Sequence, residues 1–408
     1  MTEKSIILKK ADASAIKLEN DRGLESSWIF FLLTVMFCSN LFGRGSLLCL
    51  AFAVFALLKL RNTLVIDGMG VVVLLFSAAA LIPSFAYEGV VEAVKCLNFV
   101  FMYLIGLNGF YAARDKKKYL ERLFLALFFG YILYVVLLVL WNINVETREG
   151  QRILYNIWSG DPISVTLVGL LCSVPIGFSF YAIFLNKKKW IKITAILGVI
   201  VVFIINARTA TRTPIILMLI VTLIMAAIYL YDQNAKRAVR IIALMLFIFA
   251  VVGIAYGTNL FGLRSAIEST PIYQRFMEEG TDTRRSELII WHMQYMMEYP
   301  FGGSNIARTV GTNAHNVLQQ AYDLYGVGAF VLVTVICGSI VATLVKFLRM
   351  KNREPIDYLF IAMYISMLIQ SFLEPILTGY PCFLFSFLMI HGTATAYLRK
   401  YKVMGGDR

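Results

Sequence analysis

The residue best suited to proton transfer in this chain is His315, which lies in the segment TNAHNVLQQAYDLYGVGAF. An imidazole titrates near neutral pH, so it can take a proton from a substrate hydroxyl as a general base. If the segment is helical, Gln319 and Asp323 follow at i+4 and i+8 on the same side and are available to orient or bind. The chain has three histidines in all. A lone histidine is more often structural. This alternative applies most strongly to His292 and to His391, and we expect His391 to hydrogen-bond a neighbouring helix.

Two arginine pairs are suited to binding phosphate, because a guanidinium group presents a rigid fork of donors that matches phosphate oxygens. Arg208 and Arg212 lie in NARTATRTP, between two apolar segments. Arg284 and Arg285 lie just before or within the first turn of a predicted helix, where the helix dipole favours anions. The structural alternatives are snorkelling to the membrane interface for the first pair and a solvated helix cap for the second.

Glu374 is the one charged residue in FLEPILTGYP, a short connection between two apolar segments. It could hold His315 or balance the arginines, and the alternative is a polar turn. No DxD or HxxxH spacing and no phosphate-binding glycine loop occur near these residues, so we expect neither a metal nor another cofactor.

The elements that position these residues are long apolar segments. The chain has 408 residues, of which 59% are hydrophobic and 15% are charged, and this excess of apolar residues is typical of a membrane protein. Apolar runs between charges predict an all-α polytopic protein with about twelve spans: Trp28–Phe42, Leu47–Leu58, Gly68–Ile82, Val94–Tyr111, Leu123–Trp141, Ile163–Phe184, Trp190–Ile205, Pro214–Leu230, Ile241–Tyr256, Gly326–Leu344, Leu359–Leu373 and Phe383–Tyr397.

The distribution of basic residues predicts the orientation. If the N-terminus is cytoplasmic and the spans alternate, 27 of the 38 Lys and Arg residues lie on the cytoplasmic side, as the positive-inside rule expects. Both termini are then cytoplasmic, and lysine runs such as 116–118 contact anionic membrane lipids. The net charge of +13 is therefore a sign of topology and argues against a nucleic-acid partner.

This orientation divides the chain into a cytoplasmic tail (1–27), nine spans (28–256), a large extracytoplasmic loop (257–325), three spans (326–397) and a cytoplasmic tail (398–408). No cleavable signal peptide is recognisable before the first span. A loop of this length is usually either functional or disordered, and its aromatic residues, turn glycines and helical pattern lead us to expect a folded loop. We expect it to contain an amphipathic helix over Ser286–Met297 and a second helix that begins near His315 and runs into the tenth span.

The order of these motifs resembles the O-antigen ligase and O-antigen polymerase superfamily of bacterial envelope polysaccharide assembly. The matching pieces are TRTP, RRSELIIW, YPFGG and HNVLQQAYDLYGVG. The resemblance implies a GT-C-like fold in the bacterial cytoplasmic membrane and a metal-independent, inverting glycosyltransferase. Its donor would be a polyprenyl-diphosphate-linked oligosaccharide in the outer leaflet. His315 would be the general base, and Arg212 with Arg284 or Arg285 would bind the diphosphate. Arg208 is a further candidate for diphosphate binding, and Asn316, Gln319 and Glu374 are candidate supporting residues.

Three functions are compatible with these patterns. The first is a polymerase that joins lipid-linked repeat units of O-antigen, capsule or exopolysaccharide, working beside a flippase and a chain-length regulator. The second is a ligase that moves the glycan to another acceptor. The third is a flippase or transporter, which would predict internal repeats and charge at the membrane midplane. The sequence shows neither of those features clearly and favours the polymerase.

Overall fold

The structure is a computed structural model that describes residues 27–144, 153–232, 235–270, 272–273, 277 and 285–404. Its described part is almost entirely helical. The long helices are α1 (Trp28–Cys38), α2 (Gly45–Leu60), α3 (Gly68–Tyr87), α5 (Leu97–Ala112), α6 (Lys116–Trp141), α7 (Thr166–Phe184), α8 (Lys189–Arg208), α9 (Thr213–Tyr231), α10 (Ala235–Gly257), α15 (Val327–Arg349), α16 (Pro355–Ser371) and α18 (Pro381–Met404).

Short helices connect or extend these long ones. They are α4 (Val90–Lys95), α11 (Leu263–Glu268), α12 (Arg285–Tyr295), α13 (Asn305–Val310), α14 (Val317–Tyr325) and α17 (Ile376–Gly379), with single 3-10 turns at Leu41–Gly43, Arg61–Thr63 and Leu260–Gly262.

Each of the twelve predicted apolar segments coincides with a long helix. Within the described residues, nine helical stretches are long and apolar enough to cross a bilayer, and α1 and α16 are shorter apolar helices. The chain is therefore a helical multi-pass membrane protein by length and composition. The count of twelve spans and the cytoplasmic position of the termini stay predictions.

One expectation about the helices is wrong. The helix after His315 does not run into the next span, because α14 ends at Tyr325 and α15 begins at Val327. Gly326 lies between them with φ 86° and ψ −176°, a conformation that is open to glycine and strongly disfavoured for other residues. The backbone therefore turns sharply at the point where the loop meets the membrane helix.

A second difference is a small antiparallel sheet ahead of α7. Strands β1 (Ile153–Tyr155) and β2 (Pro162–Ser164) pair with Leu154 opposite Ile163. Asn142, at the end of α6, holds this hairpin, because its side chain donates to Tyr155 O at 2.8 Å and accepts from Tyr155 N at 2.7 Å. The predicted sixth segment therefore begins with a strand, and its helix starts at Thr166.

Close backbone packing joins the centre of the bundle. Helices α5 and α18 cross where Gly106 faces Met389 O and Gly392 faces Tyr103 O, and a Cβ at either glycine would clash with the facing backbone. Small residues at such crossings let helices approach closely in a membrane. Helices α7 and α18 are the most buried of the candidate spans and carry the central packing.

Polar contacts between elements define two ends of the bundle. At the end that we call the His315 end, Gln320 bonds to Leu377 and Asn142 bonds to Tyr155. At the opposite end, which we call the Lys188 end, Lys188 pairs with Glu121 at 2.8 Å, Arg399 pairs with Asp67 at 2.5 Å, and Arg353 pairs with Asp232. Each pair joins residues that the alternating topology places on one side.

Candidate active site

The structure brings His315 and Glu374 together at the His315 end. His315 immediately precedes Asn316, the N-cap residue of α14, and Glu374 lies in the connection between α16 and α17. His315 Nδ1 is 4.0 Å from Glu374 Oε2, and the side chains are 21% and 1% exposed. The imidazole is thus partly accessible, while the carboxylate beside it is shielded from bulk solvent. Such a pair can accept a proton and stabilise the resulting imidazolium.

Asn316 and Gln319 fix the backbone beside His315. Asn316 is the N-cap of α14, and its Oδ1 accepts from Gln319 N at 2.8 Å, while its Nδ2 donates to Gln319 Oε1. Gln319 Nε2 also donates to Ile289 O in α12 at 2.8 Å. These two residues therefore start α14 and tie it to the preceding loop helix, which is a positioning arrangement for His315.

Gln320 is a positioning residue that the sequence analysis missed. Its Nε2 donates to Ala314 O at 2.9 Å and to Thr378 Oγ1 at 3.2 Å, and its Oε1 accepts from Leu377 N at 2.8 Å. One buried amide thereby links the residue before His315 to the chain after Glu374. The sequence did hold a signal for this role, namely a second glutamine beside Gln319 among apolar residues. An amide buried in such a place needs hydrogen-bond partners.

Arg212 is buried at the start of α9. It is the N-cap residue of that helix and is only 8% exposed, which is unusual for a charged residue. The neighbouring Thr211 packs on Gly169 of α7. Gly169 O accepts from Gln370 Nε2 at 3.4 Å, and Gln370 O accepts from Glu374 N at 3.0 Å. This chain of contacts connects the TRTP segment to the segment that carries Glu374.

The remaining arginines occupy different environments. Arg208 ends α8 with an exposed side chain, and its guanidinium donates to Ile143 O after α6. This contact places it at the surface of the His315 end. Arg285 is the first residue of α12, which confirms the expected helix position for that residue. Arg284 lies outside the described residues.

The YPFGG and DLYGVG motifs pack directly on each other. Gly303 N donates to Leu324 O at 3.0 Å, and Val327 N donates to Pro300 O at 2.9 Å. Gly302 has φ +80°, and an added Cβ would lie 2.6 Å from Leu324 O. These glycines therefore allow the tight junction between the loop and the start of α15.

Asp323 belongs to the same junction. Its carboxylate accepts from Ile306 N at 2.9 Å and from Ala307 N at 3.2 Å, so it caps α13. Burial raises the pKa of the Asp323 carboxyl, and the two backbone donors oppose that shift. The expectation that Asp323 orients or binds at His315 is replaced by this capping role, because its oxygens are committed to α13.

The other two histidines have structural contacts. His391 bonds to Tyr364 Oη at 2.8 Å and to Ser339 Oγ at 3.1 Å, which confirms its expected contact with neighbouring helices. His292 is buried, and its Nδ1 is 2.8 Å from Leu288 O in the preceding turn of α12. His315 is therefore the histidine with an accessible ring.

In the part of the chain that the structure describes, no cluster of three or more His, Cys, Asp or Glu residues is arranged to bind a metal ion. The six cysteines are all free thiols there, and five of them are buried.

A scan against models of known protein families finds no match, and a search of curated proteins finds no significant relative. The family resemblance rests on the quoted motifs and on their order along the chain.

Proposed function

We propose that this protein is a membrane glycosyltransferase that polymerises oligosaccharide repeat units carried on polyprenyl diphosphate. The observation that carries the proposal is the His315–Glu374 pair, a partly exposed imidazole 4.0 Å from a buried carboxylate. Its accessible ring can meet a hydroxyl, and its buried partner stabilises the charge that proton transfer creates. Gln320 and Asn316 support the assignment because both hold the backbone around this pair.

The proposed reaction needs one base and no metal. His315 takes the proton of an acceptor hydroxyl, whose oxygen forms a bond to the anomeric carbon of the donor sugar. The bond between that carbon and the diphosphate oxygen breaks from the opposite face, so the configuration inverts. The diphosphate leaves with the electron pair, and diphosphate is stable enough as an anion to leave without a general acid.

Arg212 is the proposed partner of the leaving diphosphate. Its position at the N-terminus of α9 combines a guanidinium charge with the positive end of a 19-residue helix, and both favour a phosphate group. Arg208, Arg284 and Arg285 are proposed as further diphosphate ligands at the same end. Preorganised cations of this kind stabilise charge that develops as the bond breaks.

The proposed arrangement in the membrane has about twelve spans, cytoplasmic termini and the 257–325 loop outside the cytoplasm. The contacts within each end support the alternation of the spans, because they join residues that this topology places on the same side.

The proposed membrane is the bacterial cytoplasmic membrane, and the donor then lies in its outer leaflet. A flippase and a chain-length regulator are the proposed partners, and the fold class is GT-C-like.

Reconstitution with a synthetic lipid-linked repeat unit tests the proposal. A polymerase gives a ladder of products on the lipid, whereas one-step transfer to a different acceptor identifies a ligase. His315→Gln should insert normally and lower product formation by roughly 10²- to 10⁴-fold, the usual effect of losing a general base. In His315→Ala, added imidazole should restore part of the activity.

Two results would contradict this reading. Wild-type turnover by His315→Gln would remove the base assignment. Translocation of a labelled lipid-linked oligosaccharide across the bilayer, without any new glycosidic bond, would identify a flippase instead.

A further inference from the structure

A second site lies at the Lys188 end, opposite the candidate active site. A cavity of about 600 Å³ opens there between the ends of α5, α6, α7, α16 and α18. Its walls are apolar and include Phe178 and Leu120, while its polar lining contains five lysines and two glutamates: Lys116, Lys117, Lys187, Lys188, Lys400, Glu121 and Glu354. We call this cavity the lysine pocket.

The contacts within the lysine pocket leave an excess of positive charge. Lys188 Nζ donates to both oxygens of Glu121 at 2.8 Å, so these two charges are paired. The Glu354 carboxylate caps α16 by accepting from the backbone of Asp357. Lys116 Nζ donates to Tyr111 O at 2.7 Å.

Lys117, Lys187 and Lys400 carry the rest of the excess. Among the residues that the structure describes, none of these three forms an ion pair with a carboxylate. Lys117 and Lys187 are exposed, and Lys400 is half-buried. Their ammonium groups are therefore available to an anion that enters the cavity.

The combination of an apolar wall and a cationic rim fits an amphiphile better than a free ion. A volume of about 600 Å³ exceeds what a phosphate group needs and leaves room for the glycerol and the first carbons of an acyl chain. Basic pockets between membrane helices are suited to acidic lipid headgroups. The opposite position of the candidate active site argues against the polyprenyl diphosphate donor as the occupant.

We propose that the lysine pocket binds an anionic phospholipid of the surrounding bilayer. The phosphate lies against Lys117, Lys187 and Lys400, and the acyl chain leaves along Phe178 and Leu120. On the predicted topology this is the cytoplasmic leaflet, where anionic lipids attract basic side chains. Such a lipid joins the ends of α6, α7, α16 and α18 beside the Lys188–Glu121 pair, which connects α6 to the start of α8.

The test measures lipid binding to the purified full chain in detergent, with fluorescent phosphatidylglycerol as the probe and phosphatidylcholine as the neutral comparison. The variant is K117Q/K187Q/K400Q. The matched control is K59Q/K346Q/K351Q, which removes three exposed lysines outside the pocket. The wild type and the control should bind phosphatidylglycerol alike, and the pocket variant should bind roughly tenfold more weakly or worse. The charge-preserving variant K117R/K187R/K400R should retain binding, which separates loss of charge from misfolding.

Four results would overturn the proposal. An equal loss in the pocket variant and the control would show general attraction to positive charge. Equal binding of phosphatidylcholine would exclude recognition of an anion. Displacement of the probe by glycerol phosphate at the same concentration would show a site for free phosphate, and stronger displacement by polyprenyl diphosphate would assign the pocket to the donor lipid. The first three results do not bear on the role of His315, so the two proposals can fail separately; only assignment of the pocket to the donor lipid would also count against a donor site at the His315 end.

Discussion

The carboxylate beside His315 has a definite task if the imidazole is a base. When the ring takes a proton, the new positive charge lies 4.0 Å from Glu374 Oε2. At that separation opposite charges attract by about 4 kcal/mol at an effective dielectric constant near 20. Because the carboxylate is 1% exposed, little solvent screens this attraction. Glu374 should therefore act on the protonated ring and not on donor binding.

Glu374→Gln should lower kcat on the order of 10- to 100-fold, because the variant keeps the size of the side chain and removes its charge. The KM for the lipid-linked donor should stay within about twofold, since Glu374 is not proposed to touch the diphosphate. Steady-state kinetics in proteoliposomes measure both values. Glu374→Asp keeps the charge and should retain more activity than Glu374→Gln. A raised donor KM with unchanged kcat would move Glu374 from the base to the donor site.

The two arginines of NARTATRTP differ in burial, and this difference predicts different roles. Arg212 is buried at the N-terminus of α9, whereas Arg208 is exposed and donates to Ile143 O. Arg212→Lys keeps the charge but loses the planar fork that matches phosphate oxygens. We expect this variant to raise the donor KM roughly tenfold or more.

Arg208→Lys is the comparison and should change the donor KM by less than about threefold, because solvent weakens the contribution of an exposed guanidinium group to diphosphate binding. Equal effects of the two substitutions would indicate that Arg208 contributes as much to diphosphate binding as Arg212. An effect of Arg208→Lys alone would reverse the assignment and make Arg212 structural.

At the scale of elements, the loop helices are held by hydrogen bonds between the two glycine-containing motifs. Asp323 caps α13 from α14, and Gly303 N bonds to Leu324 O. Gln319 joins α14 to α12 through Ile289 O. The position of His315 thus depends on a network in which each helix is too short to be stable alone. Loss of one cap should loosen the loop without unfolding the membrane helices.

Asp323→Ala should destabilise the loop by about 1–3 kcal/mol, because one buried and one partly buried backbone N–H group lose their acceptor. Asp323→Asn keeps one acceptor oxygen and should cost less. Limited proteolysis of the purified protein measures the effect, and we expect faster cleavage within residues 257–325 for the alanine variant. Intact resistance in Asp323→Ala would show that α13 is held by other contacts.

The sequence predicts elements well where one physical requirement decides them. A run of apolar residues long enough for a bilayer must be helical, since backbone groups find no other partners there, and the twelve predicted segments coincide with helices. The β1–β2 hairpin was missed because its pairing depends on Asn142, eleven or more residues before the strands. The break at Gly326 was missed because its need arises from packing against Pro300 and Phe301.

For the candidate site, the residues could be predicted from the sequence, but the contacts between them could not. His315, Arg212 and Glu374 stand out by type, because charged or titratable residues are costly near apolar segments. The 4.0 Å approach of His315 to Glu374 joins residues far apart in sequence. Gln320 links the same two segments, because it bonds to the residue before His315 and to a residue after Glu374. Spacing within one segment could not reveal either contact.

At the scale of the whole molecule, the distribution of basic residues and the interhelical ion pairs both distinguish the same two ends of the protein. The alternating topology places 27 Lys and Arg residues on one side and 11 on the other. Interhelical pairs such as Lys188–Glu121 and Arg399–Asp67 join residues within the richer side. A bilayer with an inward-negative potential and anionic inner lipids favours that side facing the cytoplasm.

Cysteine labelling in whole cells tests this orientation directly. Ser286 in α12 and Lys351 after α15 are both exposed, and the topology places them on opposite sides. Five of the native cysteines are buried, so the wild-type chain should give low background. A membrane-impermeant maleimide should label Ser286→Cys in intact spheroplasts and label Lys351→Cys only after permeabilisation. The reverse pattern would place the 257–325 loop in the cytosol, where an outer-leaflet donor is out of reach, and the glycosyltransferase proposal would then fail even with the His315–Glu374 pair intact.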